Sequence, residues 1–133
     1  MQSLLTKLTL FSFILLFTQC SNEPKTTVKF CESFDKNDQC VNIKNEFKPY
    51  TRVYIRCEST KPFNTDKITG SIYNVFGESK NFIGAKEFKV KPEDKTIAYY
   101  IPFEQYGGLG DFLIEFKDEK GKLIAEGKMT VKP

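Results

Sequence analysis

The sequence predicts an all-β protein: a sandwich of about seven to eight antiparallel strands behind a short apolar leader. Three observations predict it. Apolar and polar residues alternate through much of residues 28–133, the period of two expected of half-buried strands. Turn-forming clusters interrupt that alternation every ~10 residues, a spacing typical of sandwiches and barrels. Beyond the leader, no segment carries a convincing helical period.

The leader comes first. Met1–Lys7 holds one cation, and Leu8–Phe17 (LTLFSFILLF) is an apolar run broken only by small hydroxyls. The run has the length of a signal-peptide core and is short of the ~20 residues that span a bilayer. It ends at Phe17-Thr18-Gln19-Cys20, and polar Ser21-Asn22-Glu23-Pro24-Lys25 follows. This arrangement resembles the lipobox of bacterial lipoproteins, in which the chain is cut before a cysteine that becomes acylated. The usual motif has Leu at −3 and Gly or Ala at −1. Phe17 and Gln19 depart from it, and this Lys- and Phe-rich chain looks most like spirochaete lipoproteins, which tolerate looser versions. The resemblance implies a signal peptide over residues 1–19, a lipidated Cys20 in a tether over 20–27, and a folded domain over 28–133. It places the domain in the cell envelope on a firm anchor, because each buried methylene contributes about 0.8 kcal/mol and several chains act together. The outer membrane, on its periplasmic or surface face, is the expected site. The alternatives are an uncleaved signal anchor and a soluble secreted chain in which Cys20 has no special part.

Strand by strand, parity assigns the inner face. Val28, Phe30 and Phe34 point inward in the first stretch, then Val41 and Ile43 in the second. Val53, Ile55 and Cys57 follow in residues 50–59, Ile68, Ile72 and Phe76 in 67–76, and Phe82, Phe88 and Val90 in 80–91. Ile97, Tyr99 and Ile101 complete residues 95–102. Phe112, Ile114 and Phe116 alternate with Asp111, Glu115 and Lys117, although Leu113 breaks the pattern. Leu123, Ala125, Met129 and Val131 share a face, with Ile124 out of step. Between these last two runs lies Asp118-Glu119-Lys120-Gly121, a hairpin turn in which Gly supplies a positive φ. The closing pattern, Gly-Asp-Phe-Leu-Ile-Glu-Phe, turn, Gly-Lys-Leu-Ile-Ala-Glu-Gly-Lys-Met-Thr-Val, resembles the last two strands of immunoglobulin-like bacterial domains. That resemblance implies an immunoglobulin-like antiparallel sandwich.

Export implies an oxidising compartment that permits disulfides. With Cys20 reserved for lipid, Cys31, Cys40 and Cys57 remain. Parity turns Cys31 and Cys40 outward, and a turn at Phe34–Asp38 would bring them together. Cys57 shares a face with Val53 and Ile55, where a free thiol behaves as a small hydrophobe. The expectation is a Cys31–Cys40 bridge and a core thiol at Cys57. A bridge across the sandwich from Cys57 to Cys31 or Cys40 is the alternative.

Composition narrows the chemistry. Formal charge is +3 without a long run of one sign, which argues against nucleic acid as a partner. The chain contains no histidine, so the commonest general base and metal ligand are missing. The thiols lack CxxC spacing and a fourth ligand, so no metal is expected. Asp35-Lys36-Asn37-Asp38 has oxygen donors but neither EF-hand spacing nor a late Glu, and turns need the same residues. Tyr106–Gly110 lacks the Lys and the following helix of a phosphate cradle. The carboxylates Glu78, Glu87, Glu104, Asp111 and Glu115 are scattered, and nothing sets a pair across a cleft. No cofactor is implied. Arg52, Tyr54 and Arg56 share the outer face of one strand, with Tyr73 and Tyr100 on outer faces of two others. Tyr and Arg are enriched at interfaces, so these five form the candidate binding face. Ordinary cross-strand pairing is the rival explanation. The expectation is a non-enzymatic binding or structural module, held to the membrane by its lipid, with a protein or glycan ligand. Its rivals are a periplasm-facing assembly or chaperone-like subunit that uses a sheet edge, and a carboxylate-dependent hydrolase.

Overall fold

A computed structural model describes residues 23–102 and 108–133. The leader, Cys20, Glu104 and Tyr106 lie outside the described residues. The strands in chain order are β1 (Thr26–Phe34), β2 (Cys40–Ile43), β3 (Glu46–Phe47), β4 (Val53–Ser59) and β5 (Lys67–Phe76), then β6 (Ser79–Lys89), β7 (Thr96–Ile101), β8 (Gly110–Asp118) and β9 (Leu123–Val131). One sheet runs β2-β1-β4-β7 and the other β3-β9-β8-β5-β6. All neighbours pair antiparallel except β3 with β9, which are parallel. The chain passes from sheet to sheet after β2, β3, β4, β6 and β7, giving the crossed connectivity of an immunoglobulin-like sandwich. The described residues contain nine strands rather than seven or eight, because β2 and the two-residue β3 add short edges. The ladder also starts at Thr26, and the Lys25 and Thr60 backbones are joined by a 3.0 Å hydrogen bond. Strand β1 therefore starts inside the stretch read as tether.

The core follows the alternation. Phe30 of β1, Val53, Ile55 and Cys57 of β4, and Ile97 of β7 meet Ile68 of β5, Phe112, Ile114 and Phe116 of β8, and Ala125, Met129 and Val131 of β9. Burying each large side chain contributes roughly 1.5–3 kcal/mol relative to exposure. Val28, Ile72, Phe88, Val90, Tyr99 and Ile101 pack at its margin.

Some inward assignments fail where the ladder is irregular, and others at a turn or at a sheet edge. Phe82 was expected inside and is 63% exposed. Ile72 pairs with Gly84 but Tyr73 with Phe82, so Ile83 is an extra residue. This bulge turns Phe82 to the outer face while Phe88 stays inward, since one inserted residue reverses parity. A second bulge pairs Phe116 with Ala125 and Lys117 with Leu123. It brings Ile124 against the core and leaves Leu123 exposed, the reverse of the expectation. Phe76 is exposed beside the Gly77 turn. Val41 and Ile43 are exposed as well, because β2 is an edge strand with no opposing sheet over it. Leu113 is buried although it faces outward, in register with Tyr73 and Lys128.

Candidate functional site

The antiparallel register of β4 and β7 sets Tyr54 opposite Tyr100 and Arg56 opposite Ala98. Val53, Ile55 and Cys57 enter the core, so alternation sends Tyr54 and Arg56 to the outer face. Arg52, one residue before β4, lays its guanidinium carbon 4.3 Å from the centroid of the Tyr100 ring. Tyr100 is 5.7 Å from Tyr54, and Tyr54 meets the edge of Phe34 at 5.0 Å. These four side chains form one row across the sheet: a cation, two tyrosines and a phenylalanine.

Phe34, which parity assigns inward, joins the row from the end of β1, where the β1–β2 register runs unbroken. Cys31 is opposite Ile43, and Cys40 is opposite Phe34. The Cys31–Cys40 disulfide therefore joins residues that are not on one rung, with their Cα atoms 5.6 Å apart. Between the Cys31 and Ser33 rungs lies Asn42, whose φ of 57° is left-handed. Asn tolerates that conformation better than most residues. Arg56 Nη1 donates to the Asp38 carbonyl at 2.6 Å, which ties the hairpin tip to the outer face of β4. Cys31 is consequently buried despite its outward parity. The bridge joins the pair of cysteines that parity selects, but parity alone does not reveal this fold-back. It also misses Phe34 as a member of the row. The usable signal was the Asp35–Asp38 turn followed by Asn42, which together let the hairpin bend.

Arg56 is occupied by that fold-back. Its Nε donates to Glu58 Oε1 at 2.5 Å, and Lys29 reaches the other Glu58 oxygen at 3.1 Å. The hydrogen bond from Arg56 is the main cause holding the Glu58 carboxyl below its ordinary range, opposed by partial burial. Arg56 thus anchors the hairpin. Tyr73 is not part of the row, because β5 belongs to the other sheet. Its ring packs 5.8 Å from Phe82 and lies 4.6 Å from the Lys80 ammonium. That ammonium also meets Glu115 Oε1 at 2.5 Å. Of the five residues read as a face, Arg52, Tyr54 and Tyr100 stand together, with Arg56 beneath the hairpin tip and Tyr73 on the opposite side of the sandwich.

The other candidates for chemistry resolve into structure. Asp35 Oδ1 accepts the backbone N–H groups of Asn37 at 2.8 Å and Gln39 at 3.0 Å, the turn role that its sequence allows. Glu87 pairs with Lys67, and Asp111 accepts the Thr130 hydroxyl at 2.7 Å. Among the described residues, no group of three or more His, Cys, Asp or Glu could hold a metal ion. No described helix is long and apolar enough to cross a membrane. Searches against protein-family models and curated proteins find no match to the chain.

Proposed function

We propose that the chain is a lipid-anchored, non-enzymatic binding module of the bacterial cell envelope that meets a protein partner through its β4–β7 face. The observation that carries this reading is the row of Arg52, Tyr100, Tyr54 and Phe34. Tyr and Arg dominate the energetic centres of protein interfaces. Here their rotamers are held by contacts with one another, so less side-chain freedom is lost on binding. A protein suits this surface better than a sugar. Stacking a sugar needs a bare ring face, and Arg52 already lies over Tyr100. The apolar leader ending at Cys20 supports attachment to the membrane. The absence of histidine supports binding over catalysis.

The experiment is site-specific photo-cross-linking in cells carrying the full chain. A photoreactive residue at Ala98, beside Tyr100 on the outer face, is compared with one at Lys120 in the β8–β9 turn. The reading expects a discrete protein adduct from position 98 that Tyr100→Ala abolishes. No adduct from position 98, or the same adducts from both positions, refutes it.

A further inference from the structure

A second feature lies at the flank where β6 ends one sheet and β7 ends the other. Between them is a half-open cleft of about 500 Å³, within the size range of small-molecule sites. Ile72, Ile83, Ile101 and Phe112 give it an apolar lining, with Tyr99 and Lys86 among its polar contributors. The bulge at Ile83 and the glycine after it help to make the space. Gly84 shares the rung of core-facing Ile72, yet a Cβ built on Gly84 would meet nothing within 4 Å. A position that would ordinarily fill the gap between the sheets is left bare.

Among the described residues, Lys86 supplies the one charge on this lining. Its ammonium lies 5.5 Å from the Phe88 centroid and 5.9 Å from the Tyr99 centroid. Among the described residues it has no carboxylate partner. An apolar cleft with a single cation at its wall complements an aliphatic chain that ends in one carboxylate. The chain removes apolar surface from water, and the head group pairs with the ammonium. We infer that the β6–β7 cleft binds a medium-chain fatty acid, its hydrocarbon between the sheets and its carboxylate on Lys86. Tyr100 borders both this cleft and the β4–β7 protein face, but the inference rests on the cleft's apolar lining and Lys86, and failure of either reading leaves the other intact.

The test uses membranes containing the full chain and a diazirine-bearing decanoic acid, with adducts mapped by peptide mass spectrometry. Adducts should fall on β6 and β7 at Ile83, Tyr99 or Ile101. Free decanoate should suppress them, and 1-decanol should compete about tenfold less well, the difference expected of one charged hydrogen bond. Gly84→Leu fills open space and should remove the adducts. Lys86→Met keeps an exposed side chain in place and should erase the preference for decanoate over decanol, a readout that holds even if the leucine variant fails to fold. Adducts scattered over the outer faces, or equal competition by decanol against the parent chain, would overturn the inference. So would labelling unchanged in a folded Gly84→Leu chain.

Discussion

Gly127 in β9 faces Val28 in β1 so closely that a Cβ on the glycine would stand 2.8 Å from Val28 Cγ1. Phe30 would be 3.0 Å from the same atom. The missing side chain is what lets the two sheets approach at this end of the sandwich. Gly127→Ala should therefore overpack the core and cost about 1–3 kcal/mol. Urea unfolding should show a lower midpoint with an unchanged slope. Val28→Ala in the same chain should recover part of the loss; a double variant no better than the sum of its singles would show that the two sites are uncoupled.

The two classes of cysteine should separate by reactivity. Burial, with a smaller contribution from the neighbouring Glu58 charge, pushes the Cys57 thiol up to about 12. Alkylation requires the thiolate, so native Cys57 should resist iodoacetamide at pH 8 and react only after unfolding. Removing the Cys31–Cys40 bridge by a double Ala substitution should cost about 2–3 kcal/mol for so short a loop. Rapid native labelling at Cys57 would contradict its place in the core.

The two arginines beside the row should behave differently. Arg56 holds both Glu58 and the Asp38 carbonyl, so Arg56→Ala should lower stability by roughly 1.5–3 kcal/mol, as expected when charged hydrogen bonds are lost. Arg52 lies over Tyr100, and an exposed cation–ring contact is worth about 0.5–1 kcal/mol. Arg52→Ala should therefore destabilise the fold less than Arg56→Ala does, while reducing cross-linking from position 98. Equal destabilisation by both substitutions would remove the distinction between a hairpin anchor and a binding residue.

Glu115 gives the fold an acid-sensitive contact. It is 5% exposed, and the hydrogen bond from Lys80 is the largest cause holding its carboxyl below the usual range, against the opposing effect of burial. A depressed folded pKa stabilises the native state above the unfolded carboxylate value of about 4.3. That contribution is lost as pH falls through the lower folded value. The stability difference between the parent and Glu115→Gln should thus be largest near neutrality and shrink in acid. A difference that stays constant from pH 7 to pH 3 would show that the Lys80 contact does not favour the ionised form.

Alternation made most of the core legible, because each face of a strand in a sandwich meets a different environment. The inner sets of β4 and β8 could be read directly from Val53, Ile55 and Cys57 and from Phe112, Ile114 and Phe116. The errors at Phe82 and at Leu123 with Ile124 arise from single inserted residues in β6 and β9. A bulge is a pairing property of two strands, and one strand's sequence does not reveal where its partner skips. The same limit applied to the binding row. Tyr54, Tyr100 and Arg52 were recognisable from residue type and parity, but Phe34, which parity assigns inward, reached them from the end of β1. The β6–β7 cleft was hidden for a related reason: Gly84 makes a space only once the two sheet edges are set side by side.

The attachment at Cys20 is the claim on which the envelope assignment depends, and peptide mass spectrometry of the protein purified from its native membrane tests it most directly. The account predicts an N-terminal peptide beginning at Cys20 and carrying acyl chains. A chain that begins elsewhere, or one with an unmodified Cys20, would contradict it.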